Sequence, residues 1–302
     1  MNRDVLGLIV KRDDGSEIVN YDDESFPSYI YDGWVEPKVT WERVPHFHED
    51  VELITVKSGS MAYSVNGKTL ILNEGDTLFV NSNQIHYSMA INDETAKYVI
   101  FVVHPSIIMT SVAIEMKAIR PITDNPDIPY VRFRYLNEFT EAIRNIMLEL
   151  PNVRHDPFEI TMRFFHIWDI IRKQTACYGL AAEEITSEPH MKYFKSMMHF
   201  ISEHYCSGVT LDDIASSAGI SKSLCNSIFK RYVEESPITY LMRFRARKVA
   251  EYLRGRSMPL SEIASMTGFN GVSYMSETFR KFFGMSPREY KKKMAAEAEN
   301  IN

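Results

Sequence analysis

The chain has 302 residues, 45% of them apolar, and a formal charge of −6, so it is long enough to bury more than one core and its length favours two domains. Charges interrupt every apolar stretch well short of the ~18 residues a membrane span needs, and no charged-then-apolar leader opens the sequence, which together predict a cytoplasmic protein without a membrane partner. Cys177, Cys206 and Cys225 are odd in number and lack CxxC spacing, which argues against a disulfide framework or zinc knuckle and predicts three small buried apolar residues.

From about Val5 to Val103 the apolar pattern has period two with turn punctuation, as half-buried strands do. Asp13-Asp14-Gly15-Ser16 reads as a turn. Strands are predicted at Val51–Val56, Met61–Val65, Leu70–Leu72, Thr77–Val80 and Tyr98–Val103, with Asn66-Gly67 as a hairpin signal because both residues tolerate positive φ. Many short strands in succession predict a closed or double-sheet β-barrel. After Pro121, Pro126 and Pro129 the period becomes helical, and two amphipathic helices are expected at Arg132–Leu150 and Pro157–Cys177. Their stripes include Phe139, Ile143, Ile146 and Met147, then Ile160, Phe164, Ile167 and Ile171, which pack on the barrel or meet a second copy of the chain.

Gly179 to Pro189, with three glutamates and no periodicity, reads as a linker. The charge changes sign across it: residues 1–189 hold 17 Lys/Arg against 29 Asp/Glu, and residues 190–302 hold 17 against 11. A polyanion is attracted to the second part and repelled by the first.

That second part contains one pattern twice. Leu211-Asp212-Asp213-Ile214-Ala215 with Gly219-Ile220 recurs 49 residues on as Leu260-Ser261-Glu262-Ile263-Ala264 with Gly268-Phe269; Phe229-Lys230-Arg231 with Ser236-Pro237 recurs 50 on as Phe279-Arg280-Lys281 with Ser286-Pro287. Each copy predicts a short helix, a glycine turn and a second helix. Thr210 and Ser221 are placed as caps, and a rod from about Pro237 to Arg254 separates the copies, with Pro at its start and Gly255 at its end. Its eighteen residues at ~1.5 Å each give roughly 27 Å, which with end offsets approaches the ~34 Å between successive major-groove segments on one face of B-DNA. Leu211, Ile214, Ala215, Ile228 and Phe229 fall at core spacing, leaving Lys222, Ser223, Asn226, Ser227, Lys230 and Arg231 on the opposite face. The second copy leaves Asn270, Val272, Ser273, Ser276, Glu277 and Arg280. Lys and Arg suit phosphates, whereas Asn, Ser and Val suit base edges or a thymine methyl. Glu277 repels phosphate yet can accept from cytosine N4, so a base-reading and a solvent-facing role both stand open for it. Arg243, Arg245, Arg247 and Lys248 on the rod are candidates for backbone contact or surface ion pairs.

These residues resemble the DNA-binding domain of AraC/XylS-family transcription regulators over His190 to Met294. The second-unit signature is similar to Ile263-Ala264-x-x-x-Gly268-Phe269 continuing to Phe279-Arg280-Lys281-Phe282-Phe283-Gly284-Met285-Ser286-Pro287-x-x-Tyr290, and the rod matches at Arg245 and Leu253. The resemblance implies base contacts at Ser223, Asn226 and Ser227, and at Val272, Ser273, Ser276 and Glu277. Glu234 stands where the family often has Gly, and Ser227 and Glu277 where an Arg is common, so base preference does not transfer.

The first part resembles the cupin-type sensor domain of the same family. His46-x-His48-x-x-x-Glu52, ending at Gly59, is similar to the first cupin motif, and Gly75 through Asn81-x-Asn83 to His86 to the second, although Asn81 and Asn83 replace its Pro and Gly, Ala90 its Asn and Thr40 a leading Gly. His46 and His48 share one strand face by period two, and three imidazoles with one carboxylate suit a divalent metal. Three readings stay open for the set: a metal site, a polar cluster touching a small-molecule effector, or internally satisfied core groups. Trp34 and Trp41, with Phe47, Tyr63 and Tyr87, are aromatic candidates for stacking on a sugar-like effector.

The expected fold is an all-β cupin barrel (a double-stranded β-helix) at 1–120, a helical dimerisation or packing segment at 121–178, a linker at 179–189, and an all-α domain at 190–302 with two helix-turn-helix units joined by a long helix. The expected function is effector-responsive, sequence-specific transcription regulation without catalysis. Expected partners are double-stranded operator DNA, a small-molecule effector with carbohydrate as one class, a second copy of the chain, and RNA polymerase. No cofactor is required by this reading. A metal-dependent cupin enzyme with a DNA-binding appendage and a constitutive regulator whose barrel only dimerises are the alternatives.

Overall fold

The computed structural model describes residues 16–37, 44–92, 94–134, 138–177, 190–255 and 258–299. The expected linker, Trp41, Thr40 and the strand and turn signals before Ser16 lie outside them, as do the side chains of Phe139 and Cys177.

Among the described residues, eight strands form two antiparallel sheets. β1 (Ser28–Val35), β2 (Val51–Ser58), β5 (Thr77–Val80), β7 (Ala96–Val103) and β8 (Tyr130–Phe133) make a five-stranded sheet in the order β1-β7-β2-β5-β8. The second sheet has the order β4-β3-β6, from β3 (Ser60–Val65), β4 (Lys68–Asn73) and β6 (His86–Ala90). Asn66 and Gly67 make the β3–β4 turn at φ of 51° and 82°, as a tight hairpin requires.

Strand β2 is buried on both faces, and its period-two alternation assigns each residue a side. Val51 and Leu53 join Val99, Phe101 and Val103 of β7 beneath two helices, α3 (Glu138–Glu149) and α4 (Pro157–Cys177). Ile143, Met147, Ile160, Phe164, Ile167 and Ile171 of the predicted stripes fill that layer. Ile54 and Val56 instead face the interior between the sheets, with Met61, Tyr63, Leu72 and Tyr98. Two short helices, α1 (Val112–Ile114) and α2 (Arg120–Thr123), flank a π-helical turn at Glu115–Ile119.

Residues from Arg132 do not begin a helix, because 130–133 form β8, paired with β5 from Thr77↔Phe133 to Val80↔Tyr130. The edge of β5 is there to pair with, and Phe133 is fully buried against it.

The remaining described chain is helical: α5 (Met191–His204), α6 (Leu211–Ser217), α7 (Lys222–Val233), α8 (Pro237–Gly255), α9 (Leu260–Met266), α10 (Val272–Phe283) and α11 (Pro287–Glu299). Thr210 and Asp213 form a reciprocal capping box on α6, and Ser221 caps α7 through the Leu224 amide. Gly219 and Gly268 turn each unit at φ of 65° and 74°. A Cβ on Gly268 would also sit 2.5 Å from the Tyr205 carbonyl oxygen, so both backbone and space demand glycine there. The rod α8 belongs to both units: Tyr240, Leu241 and Phe244 enter the first core, while Ala246, Val249, Ala250 and Leu253 enter the second. Cys225 is buried as expected, but Cys206 is exposed, since it falls in the turn just after α5 rather than on its apolar face. Among the described residues no helix is long and apolar enough to cross a membrane.

Candidate functional site

His46, His48, Glu52 and His86 converge, their ligand atoms all within 4.8 Å of one another. The positions follow from local backbone. His46 and His86 are locked face to face by two hydrogen bonds, His46 N to His86 O at 3.1 Å and His86 N to His46 O at 2.9 Å, and their ring centroids lie 4.2 Å apart. Glu52 stands on the interior face of β2. Its Oε2 lies 3.6 Å from His48 Nε2 and 3.4 Å from His86 Nε2. Tyr63 on β3 stacks beside His86 at 6.1 Å and donates its hydroxyl to Glu52 Oε1.

Each imidazole Nδ1 faces a backbone carbonyl: His46 that of Val44 at 2.8 Å, His48 that of Asp50 at 3.0 Å, and His86 that of Gln84 at 2.8 Å. A carbonyl only accepts, so each Nδ1 carries the hydrogen and each Nε2 presents a lone pair in the neutral ring. Burial, then the neighbouring His86, holds the His46 imidazole well below its ordinary pKa despite the pull of Glu52. Burial by itself would raise Glu52, but the positive charge that the His86 and His48 rings bring when Nε2 is also protonated holds its carboxyl well below the usual carboxylate range. The Tyr63 hydroxyl is pushed well above its ordinary pKa by burial and by Glu52, so it stays protonated as a donor. His86 Nε2 is buried without a hydrogen-bond partner.

A divalent transition ion fits this set. Backbone carbonyls already orient all three rings in the way metal-bound histidines are oriented. Bonds of ~2.1 Å put neighbouring ligands of a tetrahedral ion about 3.4 Å apart, close to the 3.4 and 3.6 Å spacings from Glu52. Of the tryptophans offered for an effector, Trp34 is 39% exposed on β1 and does not join the cluster, because its neighbour Val35 takes the interior face. Sequence reasoning missed Glu17, whose Oε2 approaches His46 Nε2 to 3.6 Å; an isolated glutamate ahead of any motif carries no signal.

The two predicted DNA faces are open. Lys222, Ser223, Asn226, Ser227, Lys230 and Arg231 are exposed on α7, while Cys225, Ile228 and Phe229 point inward. Lys222 pairs with Asp212 at 3.0 Å, and the Asn226 amide donates to the Lys222 carbonyl at 2.9 Å. On the second unit Asn270, Ser273, Glu277 and Arg280 are exposed, with Val272 and Ser276 half-buried. Tyr274, absent from the predicted face, is 51% exposed beside them and packs edge-on against Phe269 at 5.8 Å.

The rod's cations are mostly engaged within the chain. Arg245 is buried and donates to the carbonyls of Tyr205 at 2.7 Å and Ser207 at 2.6 Å, and Arg243 pairs with Glu235 at 2.9 Å. Arg245 is therefore withdrawn from the DNA backbone. It lies on the core side of a helix shared by two units, where its fork satisfies two loop carbonyls.

The barrel cluster and the first unit share a wall. Phe47, between His46 and His48, and Ile85 and Tyr87, on either side of His86, alternate to the outer face and enter one core with Phe194, Phe229 and Tyr232 of α5 and α7. Lys195 of α5 lies 3.8 Å over the Phe47 ring and donates to the Asn83 carbonyl at 2.9 Å, while the Asn83 amide donates to the His48 carbonyl at 2.7 Å.

Residues 214–293 match the family described as a helix-turn-helix domain, and residues 34–103 match the cupin domain. The chain is 25% identical over 254 residues to the uncharacterized HTH-type transcriptional regulator YdeC of Bacillus subtilis, covering 82% of this chain and 85% of that one. It is 23% identical over 257 residues to the melibiose operon regulatory protein of Escherichia coli, covering 82% and 83%. Among solved structures, ToxT of Vibrio cholerae with a bound unsaturated fatty acid aligns at a TM-score of 0.45 and 12% identity, covering 90% of this chain and 97% of that one. With the doubled helix-turn-helix, its second-unit signature and a cupin domain in one chain, this protein is a DNA-binding transcription regulator of the AraC/XylS family.

Proposed function

We propose that the regulator senses through the His46, His48, Glu52 and His86 cluster, that a divalent first-row transition ion is the ligand of that cluster, and that occupancy is relayed to the first helix-turn-helix unit. The observation that carries this reading is the alternation around the cluster: the residues flanking its histidines, Phe47, Ile85 and Tyr87, are core residues of the DNA-binding half. A ligand that shifts the rings shifts their neighbours, and a packed wall transmits such a shift instead of absorbing it. An ion with an open coordination position can also receive a hydroxyl or carboxylate oxygen of an organic effector. The melibiose and xylose operon regulators among the relatives favour a carbohydrate in that role.

On the DNA side, Lys222, Lys230, Arg231 and Arg280 neutralise phosphates, while Ser223, Asn226, Ser227, Val272, Ser273, Ser276 and Glu277 meet base edges. The protein acts as a homodimer without catalytic activity, and RNA polymerase is its further partner at the promoter. Phe158 and Met162, 72% and 47% exposed one turn apart on α4, supply an apolar face for the second copy.

The test is fluorescence anisotropy on the DNA upstream of the chain's own gene, with chelator-treated protein before and after adding Mn2+, Ni2+ or Zn2+. Steeply salt-dependent binding with sequence preference is expected, and one of the ions should change affinity about fivefold or more. Binding without sequence preference sinks the regulator reading. Less than a tenth of an equivalent of metal taken up sinks the metal reading and leaves an organic effector.

A further inference from the structure

The cluster has a neighbour that no motif supplies. Glu17 lies ahead of the matched cupin segment, 34–103, yet its Oε2 stands 3.6 Å from His46 Nε2, about as near as Glu52 stands to His48. It is delivered there by the backbone. The Glu17 amide donates to the Phe47 carbonyl at 2.8 Å, which sets the residue alongside the His46–His48 ligands. Further along, the Tyr21 hydroxyl donates to Asp50 Oδ1 at 2.8 Å, and Ser16 is buried. Residues 16–21 are thus strapped at two points to the same loop that carries two of the histidines.

The chemistry of the contact is that of two acceptors. His46 Nδ1 faces the Val44 carbonyl and carries the hydrogen, so Nε2 turns a lone pair toward the Glu17 carboxylate. Two lone-pair atoms at this distance repel unless a proton or a metal ion lies between them, and the same holds for His86 Nε2, which is buried without a hydrogen-bond partner 3.4 Å from Glu52 Oε2.

We propose that Glu17 is a fifth donor of this site, so that a divalent transition ion held by three imidazoles and two carboxylates also ties the 16–21 segment to the barrel mouth. The inference rests on the metal reading above. Three nitrogens exclude the all-oxygen preference of Ca2+ and Mg2+, the absence of thiolate in the set disfavours Cu+, and five donors suit ions that accept five or six ligands, such as Mn2+, Fe2+, Co2+ and Ni2+, better than tetrahedral Zn2+. The segment is therefore a metal-dependent strap: the ion replaces a repulsion with two bonds and holds residues 16–21 against residues 46–50.

Co2+ is the probe, added to chelator-treated full-length protein as wild type, Glu17→Gln and Glu52→Gln. In the wild type the visible d–d bands should be weak, as for five or six ligands. Glu17→Gln, nearly isosteric and at a partly exposed position, should melt like the apo wild type, bind Co2+ about tenfold or more weakly and show changed bands. Hydrogen exchange at residues 16–21 should slow on Co2+ addition in the wild type and stay unchanged in Glu17→Gln. If the wild type binds no Co2+, the metal reading falls and this inference with it. If the wild type and Glu17→Gln bind Co2+ with equal affinity and identical bands while Glu52→Gln loses it, the metal reading stands and Glu17 is not a donor.

Discussion

The Tyr87 hydroxyl donates to the Tyr232 carbonyl across 3.3 Å, joining strand β6 of the barrel to the last turn of α7. Tyr87 follows His86 in the chain, and Tyr232 follows the exposed Arg231, so one hydrogen bond links the neighbours of the metal-site candidate and of the proposed DNA face. Tyr87→Phe removes the bond while keeping the ring in the shared core, and should cost about 1 kcal/mol of stability. Its sharper effect should be on the metal-dependent change in DNA affinity, which anisotropy should find reduced relative to the wild type. An undiminished metal response would mean that the signal does not pass through β6.

Phe47 tests the same wall by packing. It is 4% exposed and contacts Lys195 through its ring, so Phe47→Ala should destabilise the protein by about 3 kcal/mol. Because the lost contacts are those between barrel and first unit, calorimetry should resolve two transitions where the wild type unfolds in one.

The Asn66-Gly67 hairpin lies directly against the end of α7. A Cβ on Gly67 would fall 2.3 Å from the Arg231 carbonyl oxygen, at a φ of 82°. Gly67→Ala should therefore push the barrel off the end of α7, which small-angle scattering would register as a larger radius of gyration. An unchanged radius with unchanged stability would show that the hairpin and α7 are not in contact in solution.

The two units are unequal at corresponding positions, Glu234 and Gly284. Both cap their helices in left-handed conformation, at φ of 58° and 71°, but only glycine does so without steric cost. Glu234→Gly should raise stability by about 1 kcal/mol, read as a higher midpoint in urea, while Gly284→Ala should lower it by a similar amount. A destabilised Glu234→Gly would show that the side chain's approach to Thr69 at 3.5 Å matters more than the backbone.

These unequal caps also show what the sequence reveals and what it hides. The repeat was legible because it is written in local chemistry: Thr210 and Ser221 cap, Gly219 turns, and Ile214 and Phe229 recur at core spacing. Histidine spacing was legible too, since period two puts His46 and His48 on one side. What Phe47 meets on the other side was not, because its partners lie in α5 and α7, more than a hundred residues away. β8 was misread as helix for a related reason: its pairing with β5 is a tertiary fact, and Val131-Arg132-Phe133 carries too short an alternation to outweigh the helical pattern after it. Arg245 read as a basic residue on a rod, and only the fold supplies the loop carbonyls that turn it inward.

Arg245→Lys should accordingly behave as a structural change. Lysine's single ammonium cannot reproduce a fork that serves the Tyr205 and Ser207 carbonyls together. A loss of about 2 kcal/mol is expected with the salt dependence of DNA binding unchanged. A shallower salt slope would return Arg245 to the phosphates.

The proposed DNA face should separate into positions that hold and positions that read. Lys230 lies exposed near the end of α7 and donates to the Glu234 carbonyl at 3.4 Å, leaving its charge available to a phosphate. Lys230→Ala should weaken every sequence alike and reduce the slope of log K against log salt by about 0.9. Asn226 lies mid-helix, where its amide can reach a base edge once it exchanges its bond to the Lys222 carbonyl. Asn226→Ala should cost about 1–3 kcal/mol on the preferred site and relax selectivity at one base pair. Ser273→Ala, on the second unit, should lose less, because a hydroxyl forms a single contact where an amide forms two. Titrating the three variants against matched and single-mismatch duplexes at several salt concentrations separates these effects, and a larger loss at Ser273 than at Asn226 would assign the principal reading role to the second unit.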